Sequence, residues 1–318
     1  MPRTLSRLAV AAGTVALAAG LAVPATADAE GRSGALRWVA LGDSYTSGLI
    51  PATGDVFENP PDGCARTMQS YPEIVRRELR TLVALHNVSC GSATVANVAR
   101  TQQTPPGRPA LPGSTDPDGP FPPVPPQIDA VGPSTDLLTV GIGGNTLGFA
   151  EILKRCTELG DGSNNTGTPC KDEFAASLPG RLENLRRQYD QMLTALHSKA
   201  PLAKVITVGY PHIVPENAGS CRFGDIQQFH TITTGDLDWS RSAALEPLNA
   251  VIRQVTAAHG DTFVDLYAAS AGHSVCDSDH WVDGVLSSVS PLRLAFVHPN
   301  AKGQANAARL VEDAVLGG

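Results

Sequence analysis

Three short runs carry side chains whose types fit one chemistry. They are Gly42-Asp43-Ser44-Tyr45-Thr46-Ser47-Gly48, Gly141-Ile142-Gly143-Gly144-Asn145, and His298-Pro299-Asn300 near the C-terminus. A serine hydroxyl becomes a nucleophile when a neighbouring base takes its proton, and acyl transfer also needs donors aimed at the developing oxyanion. Ser44, Asn145 and His298 supply a nucleophile, a side-chain donor and a base. Taken singly each has an ordinary reading: Asp43 or Ser44 as a helix cap, Asn145 as a turn residue, His298 as a satisfied surface histidine. In this order, with the first two runs directly after an apolar strand-like stretch, they point to acyl transfer to water.

Common alternatives fail on spacing. Thr46 stands where a Gly-x-Ser-x-Gly elbow needs its second glycine. No Gly-Lys-Ser/Thr follows to make a phosphate loop, and Thr146 replaces the third glycine of a dinucleotide fingerprint after Gly141-Ile142-Gly143. The remaining histidines, among them His212, His230, His259 and His273, have no motif around them.

The elements that must position these residues can be read from periodicity. Trp38-Val39-Ala40-Leu41 is a short buried strand running into a tight turn, and residues 136–140 and 203–209 read the same way. Val88-Ser89-Cys90 is a weaker strand and residues 262–266 a last short one. Pro72 opens an amphipathic helix carrying Ile74, Val75, Leu79, Leu82 and Val83. Further helices are expected over 146–156, over 174–199 with a break or delay at Pro179-Gly180, over 239–259 and over 301–315. Strands alternating with helices imply parallel βαβ units in a three-layer α/β/α sandwich with a mostly parallel sheet, whose ligands sit at the carboxyl ends of the strands. From Thr104 to Pro126, 10 of 23 residues are proline, which lacks the N–H and the torsional freedom of regular elements, so this segment is an exposed loop. Its place between catalytic runs suggests that it borders the substrate groove.

Bulk properties narrow the class. Residues 1–27 read as a secretory signal: Arg3 and Arg7, an apolar stretch from Leu8 to Val23, and a small-residue cleavage site at Ala25-Thr26-Ala27. Residues 28–318 then form a single catalytic domain. Without the two arginines, 22 basic residues face 31 acidic ones, a net charge of about −9. With no cluster of Lys and Arg, a nucleic-acid partner is excluded. No other stretch is long and apolar enough for stable membrane insertion. Aromatic residues are only 5% of the chain, too few for a stacked carbohydrate-binding platform. Six cysteines in an exported chain imply disulfides; spacing alone does not choose among fifteen pairings, and the expectation adopted is sequential, Cys64 with Cys90, Cys156 with Cys170, Cys221 with Cys276. A zinc site from His273, Cys276, Asp279 and His280 is the alternative, disfavoured because Cys276 is expected oxidised and no Cys-x-x-Cys accompanies it.

Four blocks together, Gly-Asp-Ser-Tyr-Thr-Ser-Gly, Cys-Gly-Ser-Ala-Thr (residues 90–94), Gly-Ile-Gly-Gly-Asn and Val-His-Pro-Asn, resemble the conserved blocks of the SGNH, or GDSL, hydrolases. More narrowly, nearly the whole chain after the signal is similar to the secreted actinobacterial lipases and esterases of that family. The resemblance implies Ser44 as nucleophile, His298 as general base, and an oxyanion hole from Ser44 N–H, a second-block N–H and Asn145. In such relatives the second-block donor is the glycine just before Ala-Thr; here that place is Ser92, with Gly91 as the fallback. Serine keeps the N–H, provided the site does not demand positive φ. Many members also carry an aspartate three residues before the histidine, where this chain has Ala295. A carbonyl of Ala295 or Phe296 can orient the imidazole instead, giving a Ser-His dyad, and Asp283 is a more distant substitute.

The expectation is therefore a secreted, monomeric serine ester hydrolase, a lipase or carboxylesterase for small-molecule or lipid esters, needing no cofactor or metal. The relatives imply fatty-acyl substrates. A carbohydrate deacetylase is the alternative within the enzyme class, and a non-catalytic binding protein the alternative outside it.

Overall fold

The apolar runs read as strands pair into a five-stranded, all-parallel sheet of order β2-β1-β3-β4-β5. The strands are β1 (Leu36–Gly42), β2 (Val83–Asn87), β3 (Leu137–Gly141), β4 (Lys204–Val208) and β5 (Thr262–Val264). The computed structural model describes residues 34–48, 60–108, 116 and 118–317. Residues 1–27, read as a signal, lie outside the described residues. Ala35–Gly318 form one compact unit.

Alternation along the central strands sends side chains to two cores, as a sheet covered on both faces requires. Val39 and Leu41 of β1, Leu138 and Val140 of β3, and Val205 of β4 face one core. Its other side is built by α3 (Val95–Ala99), α5 (Phe149–Gly160), α7 (Leu178–Lys199) and α9 (Glu246–His259). Trp38, Ala40, Leu137, Ile206, Val208 and Val264 face the other core, covered by α2 (Tyr71–Leu79) and α11 (Ala301–Leu316). Short helices complete the chain: α1 (Ser44–Ser47), α4 (Gly144–Leu147), α6 (Pro169–Phe174), α8 (Thr234–Trp239) and α10 (Leu266–Ala269). Disulfides join Cys64 to Cys90, Cys156 to Cys170 and Cys221 to Cys276. Cys276 is thus tied up in a covalent bond, and among the described residues no group of three His, Cys, Asp or Glu could hold a metal ion.

Several boundaries differ from the sequence reading. Leu82 and Val83 lie outside α2, which stops at Arg80, whose φ is +49°; Arg80–Leu82 make one 3-10 turn, and Val83 opens β2 by pairing with Leu36. The strand expected at Val88–Cys90 is a loop after β2. Apolar spacing there fits either period, and pairing with β1 decides it. The helix expected over 146–156 is split at Gly148, with φ +83°, into α4 and α5. The helix expected from 174 starts late, as α7 at Leu178, with Pro179 in its first turn, where a missing N–H costs nothing. The helix expected over 239–259 begins earlier, at Thr234, and passes through a π-helical stretch, Ser240–Leu245, into α9. Missed altogether was an antiparallel hairpin, β6 (Leu286–Val289) and β7 (Leu292–Leu294), between Asp283 and His298.

Candidate active site

Strand β1 ends at Gly42, where the ends of β1 and β3 pack so closely that a Cβ would lie 2.2 Å from Thr46 Oγ1 and 2.6 Å from the Gly141 carbonyl. Only glycine fits. The chain then turns on Asp43, whose Oδ1 accepts the Tyr45 N–H at 3.0 Å, into the single turn of α1. Capping, the ordinary reading of this motif, is therefore real and is Asp43's work, which leaves the Ser44 hydroxyl free to meet His298. Ser44 Oγ lies 2.7 Å from His298 Nε2.

His298 arrives from the other end of the chain. Asn300 caps α11, accepting the Lys302 and Gly303 N–H groups, and this fixes the His-Pro-Asn segment at the helix start. Two consecutive residues before the histidine, Phe296 and Val297, have φ of +49° and +63°. A β-branched residue in this left-handed region is strained. That geometry brings two carbonyls to one nitrogen: His298 Nδ1 lies 3.0 Å from Ala295 O and 2.9 Å from Phe296 O. With its proton on Nδ1, the ring presents Nε2 as an acceptor to Ser44. Asp283 does not reach the imidazole. Its carboxylate accepts from Asn300 Nδ2 at 3.0 Å and lies 3.4 Å from His280 Nε2. Burial holds the His298 pKa below the ordinary imidazole value, against the raising effect of the two carbonyls. If His298 is the base, the acid limb of kcat/KM will fall at an apparent pKa below about 6.5, the ordinary imidazole value. A limb at or above that value in a full pH profile would contradict this environment.

The second block forms a tight turn in which Ala93 N–H donates to Cys90 O at 3.1 Å. Ser92 occupies its third position with φ +62°, the place where a type II turn favours glycine. The proviso attached to a serine here thus fails: the site does demand positive φ, and Ser92 meets it under strain. Gly91 cannot take over as donor, because its N–H is committed to Cys64 O at 2.9 Å. Ser92→Gly should therefore keep the turn and the N–H while raising stability by about 0.5–1 kcal/mol, the left-handed penalty less glycine's extra chain entropy. Denaturant unfolding beside ester turnover checks both parts.

Asn145 stands in α4, just after Gly143 with φ +138°. Its Nδ2 donates to Ala93 O at 3.0 Å, joining the second and third blocks, and the neighbouring Thr146 Oγ1 accepts from Val95 N–H at 2.9 Å. One Nδ2 hydrogen remains for a ligand. Ser44, Ser92, Asn145 and His298 line one groove, so the structure brings all four residues together.

The contacts of two tyrosines here were not foreseen. Tyr210, after β4, accepts the Gly144 N–H at 2.7 Å and donates to Asp43 Oδ2, linking the Ser44 turn to the Asn145 turn. Burial pushes the Asp43 carboxyl up to about 7. Tyr45 donates its hydroxyl to Val297 O at 2.5 Å while its ring lies 4.8 Å from the His298 ring, so the residue beside the nucleophile also holds the loop that carries the base.

The groove has a volume of about 1260 Å³, above the roughly 300–1,000 Å³ of ordinary small-molecule pockets. Pro106, Phe121, Ile226, Phe229, Ile232 and Phe296 give it apolar walls, and Glu151, Lys154 and Glu158 of α5 line another part. The Pro-rich segment does border it, through residues 104–108 and 119–121. So does His230, which the sequence left without a role. His259 instead pairs with Asp190 at 2.9 Å, and His273 stacks on Trp281 with ring centres 3.7 Å apart. His212 is buried 4.5 Å from the Tyr267 ring.

Known proteins agree with this geometry. Residues 40–305 match the GDSL-like lipase/acylhydrolase family. Lipase 2 of Streptomyces coelicolor is 32% identical over 322 residues, covering 99% of this chain and 97% of that protein. An esterase of Streptomyces scabiei is 31% identical, covering 98% and 94%. The crystal structure of the extracellular lipase of Streptomyces rimosus superimposes with a TM-score of 0.65 at 25% identity, over 88% of this chain and all of that one. With a parallel sheet that delivers the hydroxyl, imidazole and amide to one apolar groove, and relatives similar from end to end, the chain belongs to the GDSL-like lipase/acylhydrolase family and is a carboxylic ester hydrolase.

Proposed function

We propose that this is an exported lipase or carboxylesterase that cleaves fatty-acyl esters through an acyl-serine intermediate, with Ser44 and His298 acting as a dyad. The observation that carries this reading is the 2.7 Å contact between Ser44 Oγ and His298 Nε2, opening onto an apolar groove. His298 Nε2 takes the hydroxyl proton as Ser44 Oγ attacks the ester carbonyl, and the oxyanion is held by the N–H groups of Ser44 and Ser92 and by Asn145 Nδ2. Collapse expels the alcohol, which leaves with the proton from His298. A water then repeats the sequence on the acyl-serine, releasing the fatty acid and restoring both residues. Among the described residues neither the Ser44 nor the Ser92 N–H has a protein acceptor, as oxyanion donors require. The carbonyls of Ala295 and Phe296 replace the carboxylate of a triad, fixing the tautomer with less stabilisation of the imidazolium.

Export rests on the signal-like residues 1–27 and on the three disulfides, which suit an oxidising compartment. No helix among the described residues is long and apolar enough to cross a membrane. A single compact unit with its own groove supports a monomer acting on small or lipid esters.

Size and apolar lining favour an acyl chain over an acetyl group on a sugar. Hydrolysis of p-nitrophenyl esters from acetate to palmitate tests this directly. Each buried methylene is worth up to about 0.8 kcal/mol, so kcat/KM should rise roughly tenfold or more from acetate to the medium-chain esters. Activity confined to acetate would move the reading to a deacetylase, and no turnover by folded, oxidised protein would move it to a binding role.

A further inference from the structure

We propose that the β6–β7 hairpin, with Ile226 and Phe296 at its base, is an apolar lip that docks the enzyme on a lipid surface. The inference rests on the reading of the groove as an acyl site and adds where the substrate is taken from. Among the described residues, half of the large apolar side chains most open to solvent gather at this one place: Ile226, Val289, Leu292 and Phe296, between 38% and 56% exposed. Val289 and Leu292 face each other as a cross-strand pair at the hairpin tip. Among the described residues the hairpin joins no other strand.

Its position gives the exposure a direction. Val285 and Phe296 line the groove, β6 starts one residue after the first, and β7 ends two residues before the second. Ile226 is fastened to the base by the Leu286 N–H donating to its carbonyl at 3.1 Å. Phe296 serves both sides: its side chain stands on the lip and in the groove wall, while its carbonyl holds His298 Nδ1 at 2.9 Å. An acyl chain leaving a lipid layer would therefore pass from one apolar surface to another without crossing water.

Charge points to the same occupant. In a chain with 31 acidic and 24 basic residues, the stretch from Gly284 to Asn300 holds no Asp or Glu and only Arg293 among formal charges. The acid nearest in the neighbouring loop, Asp225, is neutralised by Arg222 at 2.5 Å. A hairpin tip of this kind is a poor water-facing edge and a good insertion element, because burial of its apolar area in the acyl region drives binding without requiring anionic lipid.

The test uses phosphatidylcholine vesicles and the full chain carrying Ser44→Ala, so that binding is read without hydrolysis. Adding Val289→Thr and Leu292→Thr, which keeps β-propensity, should lower vesicle partitioning about tenfold. In the background with Ser44 intact, the same pair should leave turnover of soluble p-nitrophenyl butyrate unchanged, which shows that the fold and the dyad survive. A second probe is Leu292→Trp, whose emission should shift to the blue on adding vesicles. Unchanged partitioning with the double threonine variant, no vesicle binding by the parent, or self-association through the lip without vesicle binding would each overturn the proposal. Failure of the catalytic reading would show separately, as loss of butyrate turnover in the parent.

Discussion

Ser44→Ala will lower kcat/KM for ester hydrolysis by about 10⁴-fold or more, in the range seen when the nucleophile of a serine hydrolase is removed. KM should change little, because the groove walls and the Ser44 N–H remain. The fold should also be intact: the cap of α1 is the Asp43 carboxylate, and the helix ends on Gly48 in the left-handed conformation, so neither depends on the lost hydroxyl. Circular dichroism and a thermal melt alongside the kinetics separate loss of chemistry from loss of structure. A residual rate within tenfold of the parent would mean that Ser44 is not the nucleophile.

His298→Ala should cost about 10³-fold or more in kcat, since the hydroxyl then loses its proton acceptor. The comparison that gives this variant its force is Asp283→Asn. Were Asp283 the orienting acid of a triad, the amide would cost about 10⁴-fold, the effect of holding the imidazole in the wrong tautomer. Its carboxylate instead serves Asn300 and His280, while Nδ1 is taken by the carbonyls of Ala295 and Phe296. Asp283→Asn is therefore expected to leave kcat within roughly threefold and the acid limb of the pH profile in place. Parallel kinetics of the two variants decide between a dyad and a displaced triad.

What could be read in the sequence was whatever is local. The apolar runs leading into Gly42 and Gly141 mark β1 and β3, and the residues just past them carry the hydroxyl and the amide, because a parallel sheet puts its ligands at strand carboxyl ends. What was hidden depends on contacts between distant segments. Leu82 and Val83 fit a helical period as well as a strand, and only pairing with Leu36 settles Val83. The Asp43–Tyr210 bond spans 167 positions and the Tyr45–Val297 bond 252. The hairpin gives a weak signal, since a proline and three serines interrupt its alternation. Positive φ at Ser92, Phe296 and Val297 is not encoded by side chains that prefer it; surrounding hydrogen bonds impose it. The Val297 N–H donates to Gly284 O at 2.9 Å, and its carbonyl is held by Tyr45. Strain of this kind collects where a site needs backbone groups aimed at one atom.

The most direct test of the central claim is to label the folded, oxidised protein with a fluorophosphonate ester and locate the adduct by peptide mass spectrometry. The reagent forms a bond only with an activated hydroxyl and leaves a tetrahedral phosphorus in the oxyanion site. One adduct per chain on Ser44, absent in His298→Ala and matched by stoichiometric loss of esterase activity, is the result expected of a Ser44–His298 dyad. An adduct on another residue, or full ester turnover by protein that takes no label, would contradict it.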